Sequence, residues 1–120
     1  MKTRILIVED SPLVTDAFSV LFTEAGYDVD IAGSVAEAVE RGSEKAVDVM
    51  LLDLTLPDGD GLEIMDALRR RAALPRATIA MTGHSDATSR RSCLAAGCAD
   101  VLVKPVPISE LLRQIERHLA

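Results

Sequence analysis

A chain of 120 residues with a formal net charge of −6 and a pI near 4.8 fits one domain with one full core, because a chain of that length buries roughly two-thirds of its unfolded surface. The acidic balance opposes direct binding to nucleic acid or to an anionic membrane, both of which need excess Lys and Arg, and suits divalent cations and basic partner surfaces. The opening apolar run is too short for a signal-peptide core or a membrane span, and the two cysteines, Cys93 and Cys98, read as small buried hydrophobes, so the expectation is a soluble, cytoplasmic protein.

Strand and helix patterns then alternate along the chain. Residues 5–8 are apolar on both faces, as in a buried parallel strand. Ser11 and Pro12 supply an N-cap and a first-turn proline for a helix whose stripe is Val14, Ala17, Phe18, Leu21, Phe22 and Ala25. Gly26 sits where that helix needs a left-handed residue. Residues 27–31 alternate polar and apolar, which predicts a half-exposed edge strand. Ser34 and Glu37 form a capping box for a short helix that turns Val35, Ala38 and Val39 inward and stops near Gly42.

Residues 47–52 predict the third strand, and a helix over 61–71 buries Leu62, Met65 and Leu68. Residues 78–81 form the fourth strand. The fourth helix, over 85–96, is weakly amphipathic, is closed by Gly97, and carries little apolar surface over 86–92 to hold it down. Residues 101–103 give the fifth strand, and Ile108, Leu111, Leu112, Ile115 and Leu119 give the last helical stripe. Five strands joined by helical crossovers predict an α/β fold, a parallel sheet with helices on both faces; the expected arrangement is doubly wound, order 2-1-3-4-5, of the flavodoxin-like type. The expected domain organisation is a single domain over 1–120 with no output domain.

Polar residues stand at the ends of these strands: Glu9 and Asp10 after the first, Asp53 after the third, Thr82 after the fourth and Lys104 after the fifth. The order 2-1-3-4-5 puts them side by side in the crevice where open parallel sheets bind ligands. Three carboxylates packed there repel and raise one another's pKa unless a cation intervenes. Oxygen ligands without His or Cys favour Mg²⁺ over zinc, and Mg²⁺ typically binds through one or two carboxylates plus a phosphate.

At these spacings the chain resembles the receiver domain of two-component response regulators. The matching features are the Glu9-Asp10 pair, Asp53 with Pro57 and Gly61 behind it, Thr82 followed by Gly83, and Lys104-Pro105. The resemblance implies that Asp53 is the phosphoacceptor, taking a phosphoryl group from a histidine kinase or histidine phosphotransfer protein. It implies Mg²⁺ held by Asp10, Asp53, Glu9 and the backbone carbonyl of Thr55, and Lys104, after a cis peptide bond to Pro105, meeting a phosphoryl oxygen. Thr82 is implied as the switch residue. The face of the fourth helix, fifth strand and fifth helix is implied as the contact surface for a downstream protein, for an output domain outside this chain, or for a homodimer. The chain departs from the pattern at Val101, where many receivers carry Tyr or Phe, so coupling through a turning ring is not expected here.

Other residues have plainer readings. Arg69-Arg70-Arg71 complements a helix C-terminus, His118 reads as surface, and His84 and the Thr55 side chain are candidates for tuning the phosphoryl lifetime. Two alternatives compete with the switch. One is an unphosphorylated receiver-like interaction module, with Val101 as its support. The other is a phosphohydrolase using Asp53, opposed by the lack of a second acid at Thr55. The expectation is a switch that assists its own phosphotransfer and dephosphorylation, not an enzyme that turns over other substrates.

Overall fold

The computed structural model describes residues 2–83 and 87–119. In chain order the first half runs β1 (Arg4–Val8), α1 (Pro12–Glu24), β2 (Asp28–Ala32), α2 (Val35–Glu44) and β3 (Val49–Asp53). A two-stranded hairpin, β4 (Thr55–Leu56) and β5 (Gly59–Asp60), follows. Then come α3 (Leu62–Arg70), β6 (Ala77–Thr82), α4 (Ala87–Ala95), β7 (Asp100–Val103) and α5 (Ile108–Leu119). The five long strands form a parallel sheet in the order β2-β1-β3-β6-β7, which is the expected 2-1-3-4-5 once the hairpin is counted separately.

Every residue of β1, β3 and β6 is buried, because helices cover both faces of the sheet. The period of two in each strand divides the core. Leu6, Val8, Met50, Leu52, Ala80 and Val101 face α2, α3 and α4 with Ile64, Met65, Leu68 and Cys93. Ile5, Ile7, Val49, Leu51, Ile79 and Met81 face α1 and α5 with Phe22, Leu111 and Ile115. Cys93 and Cys98 are free and buried, as expected, and burial together with the neighbouring Cys93 pushes the Cys98 thiol up to about 12.

Four local expectations are corrected. Ser11 precedes α1 but caps it with no side-chain bond. The buried stripe of α1 runs through Thr15 and Phe22 with Val14 and Phe18 beside them, while Ala17, Leu21 and Ala25 lie outside. Sequence cannot phase this helix easily, since Leu13 and Val20 make its outer side apolar as well; Leu13 is 84% exposed. Gly42 does not end α2. It is buried inside the helix, where an added Cβ would stand 3.1 Å from Leu68, so its role is the close approach of α2 to α3. His118 is only half-exposed, and its Nε2 is buried with no hydrogen-bond partner.

Other local signals hold. Gly26 and Gly97 take positive φ of 95° and 106° at helix ends. Ser34 accepts from the Glu37 N–H at 3.1 Å, and the Glu37 carboxylate accepts from the Gly33 N–H, which is a capping box displaced by one residue. Arg70 pairs with Asp66 one turn back and Arg69 donates to the Ala96 carbonyl, so the arginine run is a partnered helix end.

Candidate functional site

The parallel register aligns the strand ends. Val8 pairs with Leu52, Asp53 with Met81, and Thr82 with Val103, so residues following β1, β6 and β7 surround the last residue of β3. The chain reverses its winding between β1 and β3, and the site lies at that switch point. Asp53 is thus the last, ladder-paired residue of its strand, which runs one residue beyond the apolar run that ended at Leu52, and is 5% exposed.

Both oxygens of Asp53 are engaged. Oδ1 accepts from the Thr55 N–H at 3.2 Å, and Oδ2 lies 3.0 Å from Lys104 Nζ. Lys104 also reaches Glu9 Oε2 at 3.3 Å, and the other Glu9 oxygen accepts from the Ser11 N–H at 3.2 Å. Asp10 completes the group: carboxylate oxygens of Glu9, Asp10 and Asp53 lie within 4.8 Å of one another. Burial pushes the Glu9 carboxyl above the usual range, and the Asp53 charge pushes it further. For Lys104, burial acts downward, but the bond to Asp53 and the charges of Asp53 and Glu9 outweigh it and raise the ammonium's pKa.

Lys104 is aimed by backbone. Its N–H donates to the Thr82 carbonyl at 2.7 Å and the bond to Pro105 is cis, as expected. Thr82 is 4% exposed at the end of β6 and borders a cleft of about 280 Å³ between the hairpin and α4, lined also by Thr55, Thr88, Ser89 and Ser92. Val101 is buried among Ala80, Cys93 and Cys98, a small side chain already packed inward. All six expected site residues therefore converge. His84 lies outside the described residues.

The donor set fits a hard dication. Ionised, three carboxylates against one ammonium leave an excess of negative charge, every side-chain ligand is oxygen, and the exposure of Asp10 leaves one side open to water.

Sequence reading missed three features here. Gly61 packs so closely under the end of β3 that an added Cβ would lie 2.4 Å from the Asp53 carbonyl oxygen. Asp60 accepts from the Leu62 N–H at 2.9 Å while its own N–H donates to Glu63, a cap for α3 legible in the Asp60…Glu63 spacing. Asp58 accepts from the Val35 and Ala36 N–H groups at 2.7 and 3.1 Å, tying the hairpin to the start of α2.

Comparison with known proteins agrees with this geometry. The chain is 36% identical over 119 residues to the TorCAD operon transcriptional regulatory protein TorR of Escherichia coli K12, covering 99% of this chain and 51% of TorR, so it spans about half the length of that relative. Among solved structures, a CheY-like response regulator receiver domain protein from Methanospirillum hungatei superposes with a TM-score of 0.90 at 29% identity, covering 99% of this chain and 94% of that one. The receiver domain of sensor histidine kinase PA1611 from Pseudomonas aeruginosa, which has a magnesium ion coordinated in its active-site cleft, matches with a TM-score of 0.87 at 30% identity over 99% and 98% of the two chains. Residues 5–116 match the response regulator receiver domain, and the chain belongs to that family.

Proposed function

We propose that Asp53 is the phosphoacceptor of a two-component phosphorelay and that Mg²⁺ and Lys104 carry the charge of the transfer. The observation that carries this reading is the Asp53 carboxylate held between an ammonium at 3.0 Å and two further carboxylates within 4.8 Å. An oxygen of Asp53 attacks the phosphorus of a phosphohistidine on a partner kinase or phosphotransfer protein. The P–O bond forms as the P–N bond breaks, and the departing imidazole nitrogen takes up a proton from solvent, since the attacking carboxylate has none to give. Glu9, Asp10, Asp53 and the Thr55 carbonyl would hold Mg²⁺, which when bound supplies positive charge for the phosphoryl oxygens.

Lys104 moves its charge from Asp53 onto the phosphoryl group, which a flexible ammonium does as a point charge. The Thr82 hydroxyl turns toward the same group and carries the end of β6 with it. With Val101 already inward and small, the change passes through backbone and α4 to the face formed by α4, β7 and α5. A downstream protein, an output domain elsewhere in a longer protein, or a second copy would read that face. The domain is proposed to act in the cytoplasm; among the described residues no helix is long and apolar enough to cross a membrane.

Intact-mass analysis after incubation with acetyl phosphate tests the reading. The expected result is one phosphoryl adduct that requires Mg²⁺, disappears with chelator and is absent from Asp53→Asn. No adduct in any condition, with a beryllofluoride mimic also failing to bind, would favour the constitutive interaction module.

A further inference from the structure

The hairpin that follows Asp53 is tied down from an unexpected direction. Its own strands are two residues each, with Thr55 opposite Asp60 and Leu56 opposite Gly59, too short to hold a fixed position alone. Leu56 is buried in the core, which seats one side. At the tip, Asp58 crosses to α2, and its two carboxylate oxygens take the Val35 and Ala36 N–H groups at 2.7 and 3.1 Å. These bonds draw the Asp58 carboxyl below its ordinary pKa.

The α2 terminus is therefore closed by two separate devices. Ser34 takes the Glu37 N–H from within the chain's own cap, and Asp58 takes the two N–H groups before it from 22 and 23 residues away. A helix leaves its first N–H groups without partners, so α2 would form with the Ser34 cap alone, as most helices do. What the second cap adds is a fixed distance between α2, which is packed on the sheet, and the loop carrying Thr55.

From this we infer that Asp58 is a positioning residue for the acceptor site: by clamping the hairpin to α2 it holds the Thr55 carbonyl and the Thr55 N–H on Asp53 in the arrangement that Mg²⁺ requires. The inference rests on the phosphoacceptor reading above and deepens it. A metal site whose competent form is only fractionally populated binds with an affinity reduced by that fraction. Releasing the clamp lowers the fraction, because among the described residues Pro57 and Asp58 then make no hydrogen bond beyond the hairpin. The loss of a two-bond cap corresponds to a three- to tenfold weakening of Mg²⁺ binding, about the effect of an N-cap deletion expressed as affinity.

The test is Mg²⁺ titration by calorimetry on the full chain and on Asp58→Ala, Asp58→Asn and Ser34→Ala, with thermal unfolding of each in chelator. Asp58→Ala should bind Mg²⁺ about three- to tenfold more weakly. Asp58→Asn keeps one acceptor oxygen and should fall between it and the unmodified chain. Ser34→Ala removes the other cap of the same helix and should lower the unfolding temperature comparably while leaving Mg²⁺ affinity unchanged. Unchanged affinity in Asp58→Ala, or an equal loss in Ser34→Ala, would overturn the inference, the second by showing that any weakening of α2 suffices. If the unmodified chain binds no Mg²⁺, the phosphoacceptor reading fails and this inference with it.

Discussion

Gly61→Ala is the change whose consequence can be worked furthest from the geometry. Gly61 sits at the start of α3 with ordinary helical φ and ψ of −55° and −29°, so the backbone there would accept alanine. Taken alone that substitution would stabilise by about 0.4–1 kcal/mol, by restricting the unfolded chain. The space does not accept it. The added Cβ would meet the Asp53 carbonyl oxygen at 2.4 Å, Leu54 Cα at 3.0 Å and the Asp53 carbonyl carbon at 3.3 Å, all of them backbone. Restoring an ordinary contact needs a shift of roughly 1 Å between α3 and the end of β3, in an interior too dense to absorb it freely. Overpacking of this kind costs about 1–3 kcal/mol, which exceeds the entropic gain. A net loss of about 1–2 kcal/mol follows, a fall of roughly 3–8 °C in Tm for a chain this size. The larger effect is on chemistry, since displacing a reacting group by about 1 Å can cost on the order of a hundredfold in rate. Adduct formation from acetyl phosphate, followed by intact mass against time, should slow by that order. Gly33→Ala is the control, since its Cβ would find only the Glu9 carbonyl oxygen, at 3.9 Å. A Gly61→Ala protein as stable as the parent and equally fast would refute the reasoning.

Lys104→Ala removes the cation that lies 3.0 Å from Asp53 and 3.3 Å from Glu9, so it should bind Mg²⁺ more tightly in low salt while accepting phosphoryl groups more slowly; weaker Mg²⁺ binding in calorimetry would contradict this. Glu9→Gln removes a carboxylate that burial and Asp53 both disfavour, so without metal its Tm should rise, and adding Mg²⁺ should stabilise it less than the parent. The Asp58 carboxyl is held below its ordinary value of 3.8. Its contribution to stability is present above that pH and is lost as pH falls through the lower folded value. The stability gap between the parent and Asp58→Asn, measured by urea unfolding, should be constant from about pH 5 to 7 and close only on further acidification; a gap that opens on acidification would be the wrong sign. Cys93 is the only buried residue among those of α4, so amides of α4 should exchange at least about tenfold faster than those of α1, and equal protection would show that α4 is held by something other than its apolar contacts.

The strands and the residues that end them were legible because both are written locally. Apolar runs of three or four residues, each ended by a charged or hydroxyl group, give strands and site together. What was not legible depends on partners far away in the chain. Nothing near Asp58 in sequence announces that its acceptor oxygens will meet Val35 and Ala36. Arg4 reads as part of a polar opening segment, yet it is buried in β1 because Asp30 of β2 forms an ion pair with it and Asp48 takes its N–H at 2.8 Å. Gly42 reads as a helix stop and Gly61 as a helix start, and only the packed structure shows both as close-contact positions. The phase of α1 was misjudged because that helix is apolar on two sides, and hydrophobic period cannot say which side meets the sheet.

The phosphoryl group is expected on Asp53 and on no other residue. An acyl phosphate, unlike a phosphate on Ser, Thr or His, is reduced by borohydride to an alcohol, so trapping after acetyl phosphate treatment followed by peptide mapping names the residue. One homoserine is expected, at position 53, formed with Mg²⁺ and absent with chelator. Reduction at another carboxylate, or a phosphoryl group that resists borohydride, would contradict it.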